Sequence, residues 1–143
     1  MSRVHCAFVV AALFVVATAA RADPDEIAYR LHCSGCHQAD GSGLPDGGVP
    51  PVRDALGWFL HTERGRAFLV QVPGTRQSPL SDARVAALLN WMVTRFSPAQ
   101  APAGWARYTE AEVARLRRQG LDDVMATRRE IVADLRARGL AAR

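Results

Sequence analysis

The sequence of 143 residues contains no lysine, so all 18 of its basic residues are arginine. We attribute this usage to genome composition and not to function. The charge is nonetheless small, because residues 23–143 carry 16 basic and 14 acidic side chains, a net charge of about +2. Such a balance does not favour a nucleic-acid partner, since binding to the phosphate backbone needs many cations.

Long apolar segments are also scarce. The longest one runs from Cys6 to Ala20 and is shorter than the roughly 20 residues that a membrane-spanning helix needs. It ends in Ala20-Arg21-Ala22, the small-x-small pattern of a signal peptidase site. We therefore expect residues 1–22 to be a signal peptide that is removed on export, leaving no membrane span. A retained N-terminal anchor is the alternative.

Cysteine is rare as well, with three residues in the whole chain. Loss of Cys6 with the signal peptide leaves Cys33 and Cys36, which belong to the pentapeptide Cys33-Ser34-Gly35-Cys36-His37. In an exported chain, C-x-x-C-H is typical of covalent haem attachment. Each thiol can form a thioether with a haem vinyl group, and the adjacent imidazole can bind the iron. The single pentapeptide predicts one haem c, attached at Cys33 and Cys36, with His37 as the proximal iron ligand.

Two other kinds of site use similar residues. A thioredoxin-like redox pair also has C-x-x-C, but it follows a strand in a βαβ pattern, whereas a helical pattern precedes Cys33. A zinc site needs two more ligands, and only His32 and His61 remain among the histidines after residue 22 outside the pentapeptide. Haem attachment is the interpretation that these comparisons favour.

Hydrophobic periodicity and capping residues predict an all-α fold. Residues 40–51 are rich in glycine and proline and predict a loop, and Pro73-Gly74 predicts a turn. In the long helix that Ser81 caps, Val85, Leu88, Leu89 and Met92 share one apolar face. The predicted helices are 23–31, 53–60, 64–70, one that starts after Ser81 and ends near Ser97, 109–120 and 122–138.

The chain divides by composition into four segments: a signal peptide at 1–22, a haem domain at 23–97, a linker at 98–107 and a helical extension at 108–143. Residues 98–143 contain nine arginines and six acidic residues. The simpler interpretation is that the extension is a helix pair packed on the haem domain. The sharper one is a docking surface for an acidic partner.

Residues 23–97 resemble the small class I cytochromes c of the bacterial periplasm, and the extension lies outside that resemblance. The similar parts are the helix before the pentapeptide, the loop that ends in Pro50-Pro51-Val52, and the helix that begins at Leu80-Ser81-Asp82. The resemblance implies a helical haem domain in which the first and last helices cross beside an aromatic residue, here Trp91. It also implies that the carbonyl of Pro50 or Pro51 accepts the proton of the His37 imidazole.

The sequence departs from this family at the second iron ligand. The family's methionine normally comes from the loop before the last helix, which here reads Val72 to Pro79 and contains neither methionine nor histidine. Met92 is the substitute that we predict, although a methionine on a buried helix face can equally be a space-filling core residue. His61 is the other candidate, but a surface role suits it better. Met125 would require the extension to fold over the haem.

The resemblance implies a carrier of single electrons through Fe(II)/Fe(III) cycling, and not an enzyme. Its partners would be periplasmic redox proteins: a dehydrogenase, an oxidase or another cytochrome. If no side chain fills the second axial position, the chain could instead be a haem-based binder or sensor of a small ligand. A third possibility is a cytochrome subunit of a larger periplasmic oxidoreductase, with the extension as its docking element.

Overall fold

The computed structural model describes residues 22–140 and residue 142, and these residues form helices and loops without a strand. The all-α prediction is therefore confirmed. Residues 1–21, which hold most of the predicted signal peptide and Cys6, lie outside the described residues. The helices are α1 (Pro24–His32), α2 (Ser34–His37), α3 (Leu56–Phe59), α4 (Glu63–Gln71), α5 (Pro73–Arg76), α6 (Asp82–Phe96), α7 (Glu110–Leu116) and α8 (Val124–Ala137).

None of the described helices is both long enough and apolar enough to cross a membrane. Two 3-10 turns, Pro45–Gly47 and Pro98–Gln100, interrupt the loops on either side of the central helices. The predicted loop at 40–51 is thus irregular apart from one such turn and an isolated bridge between Leu44 and Val49.

Most helices begin where the sequence predicts, because their starting points depend on local capping. Asp23 accepts a hydrogen bond from the Asp25 amide at the start of α1. Ser81 accepts one from the Arg84 amide at the start of α6, and Thr109 accepts one from the Glu112 amide at the start of α7. Each cap satisfies an amide that has no partner within its own helix. These local bonds set the first turn of three helices.

The segment from Arg53 to Leu60 differs from its prediction as a continuous helix. Asp54 has a φ of +56°, in the left-handed region, and its amide donates to the carbonyl of Phe96 at 2.8 Å. Helix α3 consequently starts only at Leu56. The hydrogen bond to the end of α6 replaces the helical bond that the local pattern predicts.

Two further boundaries were predicted wrongly. Pro73 and Gly74 begin a single helical turn, α5, and not an isolated turn. Helix α7 ends at Leu116 and not near Gly120. Arg117 follows directly, and its side chain donates hydrogen bonds to residues that lie 35 to 41 positions earlier in the chain. Those distant partners stop the helix earlier than the glycine would.

Helices α1 and α6 pack against each other through three aromatic side chains. The ring of Tyr29 lies with its centroid 4.8 Å from that of Phe96 and 5.7 Å from that of Trp91. Trp91 and Phe96 meet edge to face at 5.5 Å, a geometry that aromatic pairs favour. The predicted aromatic residue beside the helix crossing is confirmed as Trp91. This packing fixes α1, and with it the start of the pentapeptide.

The extension shares the hydrophobic core of the preceding residues. Ile131, Val132 and Leu135 of α8 are buried in one cluster with Phe59 and Phe68. A second cluster combines residues of both parts of the chain. Its buried members are Val70, Val85, Ala86, Leu89, Tyr108, Val113 and Leu116.

Polar contacts also hold the start of the extension. The Asn90 side chain donates to the Tyr108 carbonyl at 3.0 Å and accepts from the Tyr108 amide at 2.8 Å. Arg66 pairs with Glu112 at 2.6 Å, and its guanidinium carbon lies 4.0 Å from the centroid of the Tyr108 ring. The buried Tyr108 hydroxyl donates to the Arg66 carbonyl, and burial, the main cause, raises its pKa. Tyr108 is thus fixed at both ends.

Replacing Asn90 by alanine is expected to lower the free energy of unfolding by about 1–3 kcal/mol, because it leaves a buried amide and a buried carbonyl of Tyr108 without partners. Chemical denaturation followed by circular dichroism measures this change. Glu26→Ala is the control, since Glu26 forms an exposed ion pair with Arg30 that contributes about 1 kcal/mol at most. Equal effects of the two substitutions would contradict the assigned role of Asn90.

Candidate functional site

A cavity of about 430 Å³ lies between the pentapeptide and helices that follow it in the chain. One wall contains Cys33, Cys36, His37 and the loop 48–52. The rest comes from α3, α4, the loop after α4, α6 and α8. Its size falls within the range of about 300–1,000 Å³ that is usual for cofactor pockets, and most of its lining side chains are aliphatic or aromatic. The cavity therefore suits a large, mainly apolar ligand.

The pentapeptide follows α1 directly along the chain. The Cys33 amide donates to the Tyr29 carbonyl at 2.9 Å and so ends α1. The next turn, α2, closes with a bond from the His37 amide to the Cys33 carbonyl at 3.0 Å. One helical turn thus carries both thiols and the imidazole to the same cavity. These are the residues that the sequence predicts to hold a cofactor.

The loop beside the pentapeptide orients the His37 ring. Nδ1 of His37 lies 3.1 Å from the carbonyl oxygen of Pro50, and because a carbonyl can only accept, Nδ1 carries the proton. Of the two prolines expected for this role, the structure assigns it to Pro50. Nε2 is then left with its lone pair free to bind a metal ion.

Gly43 makes this loop possible. Its amide donates to the His37 carbonyl at 2.9 Å, and its φ of +71° lies in the left-handed region. A Cβ atom at this position would lie 2.6 Å from the carbonyl oxygen of Val49. Only glycine allows the loop to approach His37 so closely.

Burial sets the protonation of the pentapeptide side chains. It raises the pKa of the Cys33 thiol to about 11, with a smaller contribution from Cys36. Burial also lowers the pKa of His37, and the hydrogen bond to Pro50 opposes it only in part. The imidazole is consequently neutral near pH 7, the form that binds metal ions.

The structure separates the candidates for a second iron ligand. Met92 lines the cavity, but it is 6% exposed and packed among the residues of α6 and α1. His61 does not line the cavity: its Nε2 lies 3.0 Å from the Gln100 carbonyl and its ring packs beside Trp58. His32 lies at the cavity wall beside Cys33. Met125 also lines the cavity and is 48% exposed.

Two residues of α8 in the cavity wall differ from the predicted site. No sequence motif indicates Arg128, and Met125 was expected to reach the haem only if the extension folds over it. Helix α8 does reach the cavity, where Val124, Met125 and Arg128 contribute to its wall. The missing loop methionine, together with a methionine in the extension, was the only signal available in the sequence.

Over residues 22–140 and residue 142, the structure brings together no group of three or more histidine, cysteine, aspartate and glutamate side chains that could hold a metal ion. A zinc site would need such a group. The pentapeptide also follows a helix and not a strand, so neither alternative to haem attachment gains support from the fold.

Helices that enclose an apolar cavity with C-x-x-C-H in its wall define a c-type cytochrome. The chain is 30% identical over 132 residues to a cytochrome c-552 of Thermus thermophilus, covering 78% of this chain and 88% of the relative. A second cytochrome c-552 of Thermus thermophilus is 30% identical over 119 residues, which cover 69% and 90%. No family model matches the sequence. The chain belongs to the small monohaem c-type cytochromes, and its cofactor is covalently attached haem c with its iron.

The similarity to the first cytochrome c-552 extends beyond residue 97. Residues 1–97 are less than the 78% of the chain that the first alignment covers, so part of 98–143 is aligned as well. The boundary at residue 97 and the extension at 108–143 stay predictions.

Proposed function

We propose that the chain carries single electrons in the bacterial periplasm, with one haem held by thioethers to Cys33 and Cys36 and with His37 as proximal ligand. The observation that carries the proposal is the arrangement of His37. Its Nδ1 is engaged by Pro50 while both thiols line the same cavity. When bound, the haem supplies the Fe(II)/Fe(III) couple.

The residues of the chain provide the surroundings that an electron carrier needs. Phe59, Phe68 and Leu88 are buried side chains of the cavity wall, and they would keep water from a bound haem. A low-dielectric cavity disfavours the more positive oxidation state and so raises the reduction potential. The Pro50 carbonyl holds the imidazole in one tautomer, so that electron transfer requires little rearrangement.

We also propose where the chain acts and which proteins it exchanges electrons with. The predicted signal peptide at 1–22 directs the chain to the periplasm, and covalent attachment keeps the haem from being lost there. The partners would be a dehydrogenase that donates electrons and an oxidase or another cytochrome that accepts them. We assign no catalytic residue, in keeping with the electron-transfer role of cytochromes c.

A second function has one specific observation in its favour. The loop from Val72 to Ser78 lines the cavity but supplies neither methionine nor histidine. An iron that keeps an open position could bind a small gas or peroxide. This alternative requires that no side chain from elsewhere in the chain occupies that position.

Production of the chain in a bacterium that matures c-type cytochromes tests the proposal. The expected product has the mass of the chain from residue 23 plus one haem, and spectroelectrochemistry shows a reversible transition of one electron. Cys33→Ala with Cys36→Ala is the matched control and is expected to lose covalent haem. A product without covalent haem would contradict the site assignment. A spectrum that changes on addition of carbon monoxide would favour the open-site alternative over the carrier.

A further inference from the structure

We propose that Met125, on α8 of the C-terminal extension, is the distal iron ligand. This inference rests on the proposed haem site at Cys33, Cys36 and His37. It assigns the position opposite His37 to a residue outside the loop that precedes the last helix of the haem domain. Four structural observations support the assignment.

The first observation is the state of the loop between α4 and α6. Arg117 donates to the carbonyls of Arg76 at 3.1 Å, Ser78 at 2.7 Å and Leu80 at 2.9 Å. In return, Nε of Arg76 donates to the Arg117 carbonyl at 3.0 Å. The loop is therefore held by the extension, and it offers the cavity no sulfur or imidazole. A second ligand from the protein would therefore come from another element.

The second observation is the position of α8. Its buried residues Ile131, Val132 and Leu135 belong to the main hydrophobic cluster, and α8 packs against α3 and α4. This packing turns Val124, Met125 and Arg128 toward the cavity. Positions 124 and 125 lie four and three residues before 128, so the three side chains lie on one face of the helix. The helix is held rigidly, as a ligand-bearing element should be.

The third observation is the difference in exposure between the two methionines of the cavity wall. Met92 is 6% exposed, so protein atoms already cover it with the cavity open. Met125 lines the cavity as well and is 48% exposed. An iron ligand must be reachable from the cavity, and a bound macrocycle would then cover it. This contrast favours Met125 as the ligand and Met92 as a core residue.

The fourth observation is that His37 and Met125 belong to separate walls of the cavity. Helix α2, which carries His37, packs against α1, whereas α8 packs against α3 and α4. Met92 belongs to α6, which packs on both α1 and α3, so its helix belongs to neither group alone. His37 and Met125 thus approach the cavity from different groups of helices. A haem attached at the pentapeptide would contact both walls, because His37 and Met125 line the same cavity.

Absorption spectra of the ferric and ferrous holoprotein test the assignment, with Met125→Ala and Met92→Ala as a matched pair. We expect wild type and Met92→Ala to show the weak far-red band of methionine-ligated ferric haem and a low-spin spectrum. Met125→Ala is expected to lose the band, become high-spin, bind carbon monoxide when reduced and have a lower reduction potential. Met125→His should restore a low-spin spectrum without the band.

Each other result contradicts the assignment in a recognisable way. A far-red band that survives in Met125→Ala and disappears in Met92→Ala would identify Met92 as the ligand. A wild type that contains covalent haem but is high-spin would leave the distal position open. A wild type without covalent haem would refute the proposed function itself. Mass spectrometry and circular dichroism of every variant separate these outcomes from a failure to fold.

Discussion

Deletion of residues 108–143 is expected to unfold the preceding part of the chain. Tyr108, Val113, Leu116, Ile131, Val132 and Leu135 are all buried, and they complete both hydrophobic clusters. Burial of one large apolar side chain contributes about 1.5–3 kcal/mol, and a domain is stable by only about 5–15 kcal/mol in total. Loss of six such side chains is therefore comparable to the whole free energy of unfolding.

Circular dichroism and thermal unfolding of the holoprotein measure this effect. The truncated chain should show no cooperative transition at a temperature where the full chain is folded. Asp134→Ala with Arg138→Ala is the control on α8, because these two residues form an exposed pair within one helix and contribute little to stability. A truncated chain that melts like the full one would show that the extension is dispensable for folding.

This result would also decide how a docking role can be tested. The extension was predicted either to pack on the haem domain or to bind an acidic partner, and its buried residues establish the packing. Removal of the whole segment would then confuse loss of docking with loss of fold. Arg118 and Arg129 are exposed, so their charge reversal is the appropriate test of a partner-binding surface.

The sequence predicts those features whose causes are local. The start of α6 follows from Ser81, and the start of α7 follows from Thr109, because each cap bonds to an amide three residues later. The pentapeptide and its spacing likewise lie within one turn, so Cys33, Cys36 and His37 could be proposed as a site from the sequence alone. The family resemblance added the role of a prolyl carbonyl, which the structure assigns to Pro50.

The features that escaped prediction depend on distant residues. Asp54 leaves the helical conformation because its amide bonds to Phe96, a partner that no local pattern reveals. The approach of Met125 to the cavity depends on how Ile131 and Leu135 pack among aromatic residues earlier in the chain. Periodicity indicates that α8 has a buried face, but it does not indicate what that face packs against.

Replacing Arg117 by methionine is expected to lower the free energy of unfolding by about 3 kcal/mol. Its side chain is 17% exposed and also pairs with Asp82 at 2.8 Å, besides the three loop carbonyls. Hydrogen bonds to a charged group contribute about 1.5–3 kcal/mol each, and water can replace part of this loss at a partly exposed site. Methionine keeps the length and apolar stem of arginine, so the change isolates the guanidinium.

Arg118→Met is the matched control, because Arg118 is the next residue and is exposed; a change within about 0.5 kcal/mol is expected there. Arg117→Lys should retain only part of the stability, since an ammonium group cannot reproduce the planar fork that bonds to several carbonyls. Chemical denaturation of the three holoproteins measures the differences. Equal losses in Arg117→Met and Arg118→Met would refute the role of Arg117 in joining the loop to the extension. If Arg117→Met alone is destabilised, the extension holds the loop between α4 and α6, which lacks a methionine. The same extension carries Met125, which lines the cavity.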